Sequence, residues 1–295
     1  MKNGWIIIAL LLSGTLLGQQ ETFKENIRRE LRFSDPQAEN LLVIQNINGG
    51  IAVEGYSGNE IFVEVVKTIK ARSTEQRQQG QEEIQLGAIE KETVIALYMQ
   101  TPCSRLNPAS ITSEELREGW KWSWWDDCEW KPKYDYRLDY NIRVPAGASL
   151  RLSTINQGDI EVRNVEGRLK VNNVNGAITM EGIAGAADAH TINGDLTLRY
   201  DRNPAGESKY YTLNGDIKAF FRPGLSAELY FKSFNGDLFT DLDDIELMAP
   251  RLEKKEGGQG VNFKVGGTQG IRIRSGGVRL EFETFNGDVY VREEQ

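Results

Sequence analysis

Hydrophobic positions along this chain recur in a nine-residue unit. Glycines stand at Gly158, Gly167, Gly176, Gly185 and Gly194. Positions two, four and seven after the first four are apolar: Ile160, Val162 and Val165; Leu169, Val171 and Val174; Ile178, Met180 and Ile183; Ala187, Ala189 and Ile192. The next unit opens with Leu196 and Leu198. Positions two and four share one face of a strand, whereas position seven has the opposite parity. A bend near positions five and six is needed to bring it back inside. Self-similarity at a fixed short period marks stacked structure, because one unit cannot bury its apolar face alone. The pattern predicts an all-β fold, a β-solenoid-like stack of strand units of about nine residues with about 18–21 residues per coil. Equivalent residues would then lie about 4.8 Å apart. A hairpin meander on type I′ turns is the alternative, since Asn-Gly favours those turns.

The pattern extends in both directions. Leu41 to Ile44 is apolar, Asn48-Gly49-Gly50 supplies a turn, and Ile51, Val53, Ile61, Val63 and Val65 alternate with polar residues. Ser73 to Glu83 is polar and reads as a loop or short helix, and Val94 to Met99 as another strand. Tyr136, Leu138, Tyr140, Ile142 and Val144 alternate strictly before the turn Pro145-Ala146-Gly147. Beyond Gly194 the spacing opens, with Gly215 and Gly236 each 21 residues further on. The segment 241–283 departs further, and a last repeat returns at Phe285-Asn286-Gly287-Asp288-Val289-Tyr290-Val291, where a cap on the stack is expected. Residues 101–133 break the pattern altogether. The chain therefore divides into 1–19, 20–100 (the N-terminal β part of the repeat domain), 101–133 (an insertion) and 134–295 (the main repeat part).

The first segment has a basic start at Lys2, an apolar run from Trp5 to Leu12 and a small residue, Gly18, before polar Gln19-Gln20. It reads as a secretory signal peptide cleaved near Gly18 or Gln19. An uncleaved anchor is the rival, but the run falls short of the ~20 apolar residues of a spanning helix. No other stretch is long enough to span, so the mature chain is expected to have no transmembrane segment. Cleavage takes the net charge from −8 to −9, because Lys2 is lost. Such an acidic chain is a poor partner for nucleic acid. The expected location is outside the cytoplasm: periplasm, cell surface or secreted.

The insertion holds both cysteines, Cys103 and Cys128, and five of the six tryptophans, Trp120, Trp122, Trp124, Trp125 and Trp130. Two cysteines in an oxidising compartment point to a disulfide. A zinc site is disfavoured, since two cysteines and a single histidine do not make four ligands. Trp120, Trp122 and Trp124 alternate, so a strand would place three indoles on one face. They would form either a stacking platform for sugars or partner rings, or a lid over an open edge of the stack. Among these readings the lid is favoured.

Asp159, Asp195, Asp216, Asp237 and Asp288 each follow a corner glycine. Asp at a turn usually stabilises it through local hydrogen bonds. No cofactor is implied, although a stacked carboxylate column would be the place for Ca2+, which needs six to eight oxygens, or for glycoside chemistry. His190, the single histidine, has outward parity and no nucleophile beside it. No serine-nucleophile, phosphate-loop or metal-helix signature occurs.

The phrases Ile155-Asn156-Gln157-Gly158-Asp159-Ile160-Glu161-Val162, Ile192-Asn193-Gly194-Asp195-Leu196, Leu213-Asn214-Gly215-Asp216-Ile217 and Phe234-Asn235-Gly236-Asp237-Leu238 resemble a bacterial family of exported candidate adhesins. That family is a domain of unknown function built from β-repeats. The opening Asn46-Ile47-Asn48-Gly49-Gly50-Ile51 and the closing Asn286-Gly287-Asp288-Val289 fit its ends. The resemblance covers most of the mature chain and implies a β-solenoid-like fold outside the inner membrane. The Cys/Trp insertion departs from the simplest family pattern. The sequence thus predicts a non-enzymatic cell-envelope protein that binds or scaffolds, with a glycan or an envelope protein as partner. A polysaccharide-acting enzyme using carboxylates on one face is one alternative. A structural or signalling component of an envelope-stress system is another.

Overall fold

The computed structural model describes residues 21–104, 108–118, 128–249, 252–257, 260–265 and 269–294, with the backbone alone at 252–265 and 269. The first 20 residues, including the expected signal segment, lie outside the described residues, as do Trp120, Trp122, Trp124 and Trp125. Strands β1 (Glu21–Arg32), β2 (Leu41–Gln45), β3 (Ile51–Tyr56) and β4 (Glu60–Ala71) lead into helix α1 (Thr74–Glu83). Strands β5 (Gln85–Glu90) and β6 (Val94–Gln100) precede the short helix α2 (Ser113–Glu118). Strand then dominates: β7 (Tyr134–Pro145), β8 (Ser149–Thr154), β9 (Ile160–Arg163), β10 (Leu169–Asn173), β11 (Ile178–Ile183), β12 (Ala187–Asn193), β13 (Leu196–Tyr200), β14 (Ser208–Asn214), β15 (Ile217–Phe221), β16 (Ala227–Asn235) and β17 (Leu238–Thr240). The chain ends with β18 (Ile245–Met248), β19 (Leu252–Gly257), β20 (Gly260–Val265), β21 (Gln269–Ile273), β22 (Val278–Asn286) and β23 (Val289–Glu293).

Two large mixed sheets result. The first runs β1-β4-β7-β3-β9-β11-β13-β15-β23-β17, and the second β18-β21-β16-β22-β14-β12-β10-β8-β2-β6-β5; β19 and β20 pair separately. Neither order closes on itself. From β8 to β15 successive strands alternate between the two sheets, so each circuit of the chain adds one parallel strand to each. Ile178 pairs with Ile160 on one side and Leu196 on the other, 18 residues away in each direction. The ends are antiparallel: β1-β4-β7 in the first sheet, and β5-β6 and β16-β21-β18 in the second.

The alternation along each strand fills the space between the sheets. Ile160, Val162, Ile178, Met180, Leu196 and Leu198 of the first sheet are buried, as are Leu150, Leu152, Leu169 and Val171 of the second, in one continuous core. The bend is real but belongs to every second unit. Asn164 and Gly182 take φ of 55° and 64°, which turns Val165 and Ile183 back into the core. In β10 and β12 the strand runs straight. There the sixth position, Asn173 or Thr191, is buried, while Val174 is half-buried and Ile192 exposed. The nine-residue units are therefore of two kinds, one per sheet.

The last repeat is not a cap. β22 lies between β14 and β16, and β23 between β15 and β17. The C-terminal circuit wedges into the stack, and 227–249 forms the far end instead. β2 and β6 are buried on both faces, as their unbroken apolar sequences require. Their outward residues Leu41, Val43, Val94, Ala96 and Tyr98 are covered by Leu116 of α2. On the other side, α1 begins at the cap Ser73, whose hydroxyl accepts the Gln76 N–H at 3.3 Å. It ends on buried Lys67, whose ammonium bonds the Gln81 and Ile84 carbonyls at 3.0 Å and the Glu25 carboxylate.

Candidate functional site

The repeat-turn glycines Gly49, Gly158, Gly176, Gly194, Gly215, Gly287 and Gly236 stand in one column at the corner between the sheets. A Cβ on Gly194 would lie 2.3 Å from the Gly176 carbonyl oxygen, one on Gly215 2.2 Å from that of Gly194, and one on Gly236 1.8 Å from that of Gly287. Stacking distance, more than turn conformation, demands glycine here. Two side-chain columns flank it. Outside, each asparagine amide donates to its neighbour's oxygen: Asn175 to Asn156, Asn193 to Asn175, Asn214 to Asn193, Asn286 to Asn214 and Asn235 to Asn286, all at 2.8–2.9 Å. Inside, Thr154, Thr191 and Thr212 donate to the carbonyls of Gly49, Gly176 and Gly194 at 2.8–2.9 Å, and Asn173 donates to Gly158 at 3.0 Å. These bonds satisfy buried backbone acceptors that turn toward the core. The inner column was legible as Thr, Asn or Ser two residues before each corner Asn, a pattern that the apolar repeat masks.

The aspartates form a further column. Oδ1 of Asp159, Asp195, Asp216 and Asp288 accepts the backbone N–H of Ala177, Asp216, Asp288 and Asp237 at 2.8–3.0 Å. The bond is to the next circuit, not within the residue's own turn. Lys218 sits 3.7 Å and 3.8 Å from the Asp195 and Asp216 carboxylates. Among the described residues no group of three His, Cys, Asp or Glu could hold a metal ion. His190 lies on the outer face of the second sheet, its Nε2 2.8 Å from Asp188 Oδ1. That contact holds the Asp188 carboxyl below its ordinary range, against partial burial.

Cys103 and Cys128 are joined by a disulfide, with Cα atoms 5.8 Å apart. Of the five tryptophans of the insertion, Trp130 is described. It packs against the main core, with its ring 5.4 Å from that of Tyr136. Its Nε1 donates to Glu83 Oε2 at 2.8 Å, and the Tyr134 hydroxyl donates to the same oxygen at 2.5 Å. Gln79 donates to Oε1 at 2.7 Å. Burial pushes the Glu83 carboxyl up, but these three donors outweigh it and hold the group below the carboxylate range. The Tyr134 hydroxyl is raised well above its usual value, by burial first and by Glu83 second. Helix α1 and the end of the insertion are thereby locked together. At its other root, Arg117 of α2 donates to the Thr93 hydroxyl at 2.9 Å and to the Glu39 carbonyl at 2.5 Å.

Aromatic residues that the sequence pattern does not single out stack at the far end: exposed Phe234 on exposed Phe285 (4.8 Å, 4°) and exposed Phe239 on half-buried Tyr290 (5.1 Å, 14°). No helix among the described residues is long and apolar enough to cross a membrane.

No family model matches the sequence, and no curated protein matches it. The structure is similar to that of a candidate cell adhesion protein from Clostridium sporogenes, at 8% identity and a TM-score of 0.40, over 92% of this chain and 100% of that one. It is also similar to that of a candidate adhesin from Bacteroides fragilis, at 10% identity and a TM-score of 0.34, over 92% of this chain and 97% of that one.

Proposed function

We propose that this chain is an exported, non-enzymatic protein of the cell envelope that works by adhesin-like binding or scaffolding. In this reading the two sheets are the walls of a β-solenoid-like stack, and the stack is a rigid frame for recognition surfaces. One observation carries it: the corner bonds run from one circuit to the next without a gap, from Asn156 to Asn235. Such ladders fix each outward side chain relative to the next, which reduces the ordering cost of binding an extended partner. The column carboxylates support recognition rather than hydrolysis, because their Oδ1 atoms are committed to backbone N–H groups.

The test uses the protein starting at Gln20 on an array of neutral and acidic glycans, with capture of cross-linked envelope proteins in parallel. Saturable binding with the ligand recovered intact is the expected result. Turnover of a polysaccharide would replace this reading with the enzymatic one, and binding of neither class would remove it.

A further inference from the structure

The outer face of the antiparallel end, β1-β4-β7, carries chemistry that the stack does not use. Two adjoining hollows of about 380 Å³ and about 400 Å³ share Lys70 and Asp135. Lys24 and Arg137 line the first; Arg72 and Lys133 line the second. Five cations thus gather on a chain of net charge −8. Arg137 is held by Asp139 at 2.6 Å. Lys24, Lys70, Arg72 and Lys133 make no ion pair among the described residues; the carboxylates that line the two hollows are Asp139 and Asp135, the latter opposite Lys70 in the strand register.

Strand register spaces these charges. Lys24 lies opposite Thr68, and Thr68 opposite Arg137, which sets the two cations about 10 Å apart across three strands. Lys70 is two residues along β4, a step of about 7 Å. The hollow is also where the repeat is broken. Gln157 is an extra residue between Asn156 and Gly158 at one corner, it stands at a φ of 61°, and it lines the same hollow. A left-handed conformation costs a non-glycine residue about 1–2 kcal/mol. Such outliers gather at ligand sites.

We propose that this groove binds a single strand of an acidic polysaccharide, with carboxylate groups of successive sugars meeting Lys24, Lys70 and Lys133 and the Gln157 amide bonding the sugar hydroxyls. The inference rests on the binding reading above and names the ligand class for it. A narrow polymer sees the local cations, whereas a flat anionic membrane would also meet the net negative field of the whole chain.

The test measures binding of an oligogalacturonate, its methyl-esterified neutral form and phosphatidylglycerol vesicles to the whole protein. Saturable binding of the acidic oligomer alone, weakening as salt rises, is expected. Lys70→Glu with Lys133→Glu should weaken it at least about tenfold, and Lys70→Gln with Lys133→Gln by less. Lys170→Glu with Arg202→Glu, the same change in net charge away from the groove, should leave it unaltered. Melting temperatures of all three variants separate lost binding from lost folding. Equal affinity for the neutral oligomer, no binding of the acidic one, preference for vesicles, or equal loss in the control would each overturn the proposal. Array binding confined to neutral glycans would do so while leaving the binding function intact.

Discussion

At the scale of single residues, close approach decides more than turn propensity. Gly147, in the Pro145-Ala146-Gly147 turn, would have nothing within 4 Å of an added Cβ, whereas Gly194 would have the Gly176 oxygen at 2.3 Å. Gly194→Ala should therefore destabilise by at least about 2 kcal/mol, while Gly147→Ala should be neutral or slightly stabilising. Urea unfolding of the two variants checks this, and equal midpoints would refute the stacking account. The second residue-scale expectation concerns Glu83. Its folded carboxyl titrates below its ordinary value of 4.5. The stability it contributes is thus fully present above that value and is lost as pH falls through the lower folded value. Glu83→Gln, whose amide cannot accept from all three donors, should cost about 1–2 kcal/mol at neutral pH. The difference from the parent should shrink below pH 4.5. A gap that stays constant down to acid pH would count against it.

At the scale of elements, parity governs. Val171 in β10 is fully buried, and Lys170 beside it points outward, 3.9 Å from Asp188. Val171→Asp should cost at least about 3 kcal/mol, because an unpaired carboxylate would enter the core. Lys170→Asp should change stability by about 0.5 kcal/mol or less. Thermal melts of both variants test the assignment, and equal shifts would show it to be wrong. The inward places of Leu169 and Val171 were readable directly from the sequence, whereas the pattern put Val174 inside where the structure buries Asn173. The exposure of Ile192 was not, since its place in the apolar pattern matched that of buried Ile183. The two positions differ because Gly182 turns the chain at a φ of 64° before Ile183, and β12 continues straight through Thr191.

At the scale of the whole molecule, the C-terminal circuit is a structural wedge. β22 and β23 are each bonded on both sides. Truncation after Gly277 would strip β14 and β15 of their next partners and detach β16 and β17 from the stack. It should abolish the cooperative transition, instead of shaving off a frayed end. Circular dichroism during denaturation provides the measurement; a truncated chain with the parent's midpoint would contradict this topology. The insertion works at the same scale, with Leu116 sealing the outer face of β2 and β6 and Trp130 tied to α1.

By itself the sequence determined the nine-residue period, the inward and outward parity, the corner glycines and the pair of cysteines that could meet. These follow from neighbours along one strand, where covalent geometry fixes which side chains share a face. Only the tertiary structure decided the order of the circuits. Phe285-Asn286-Gly287-Asp288 and Phe234-Asn235-Gly236-Asp237 offer the same local pattern, so nothing within either motif says which one lies beside Asn214. That choice is made by the summed packing of two whole strands against their neighbours. The cationic groove was hidden for the same reason: Lys24, Lys70 and Lys133 are far apart in the chain, and pairing of β1, β4 and β7 brings Lys24 near Lys70, while Lys133, just before β7, lines the same hollow as Lys70.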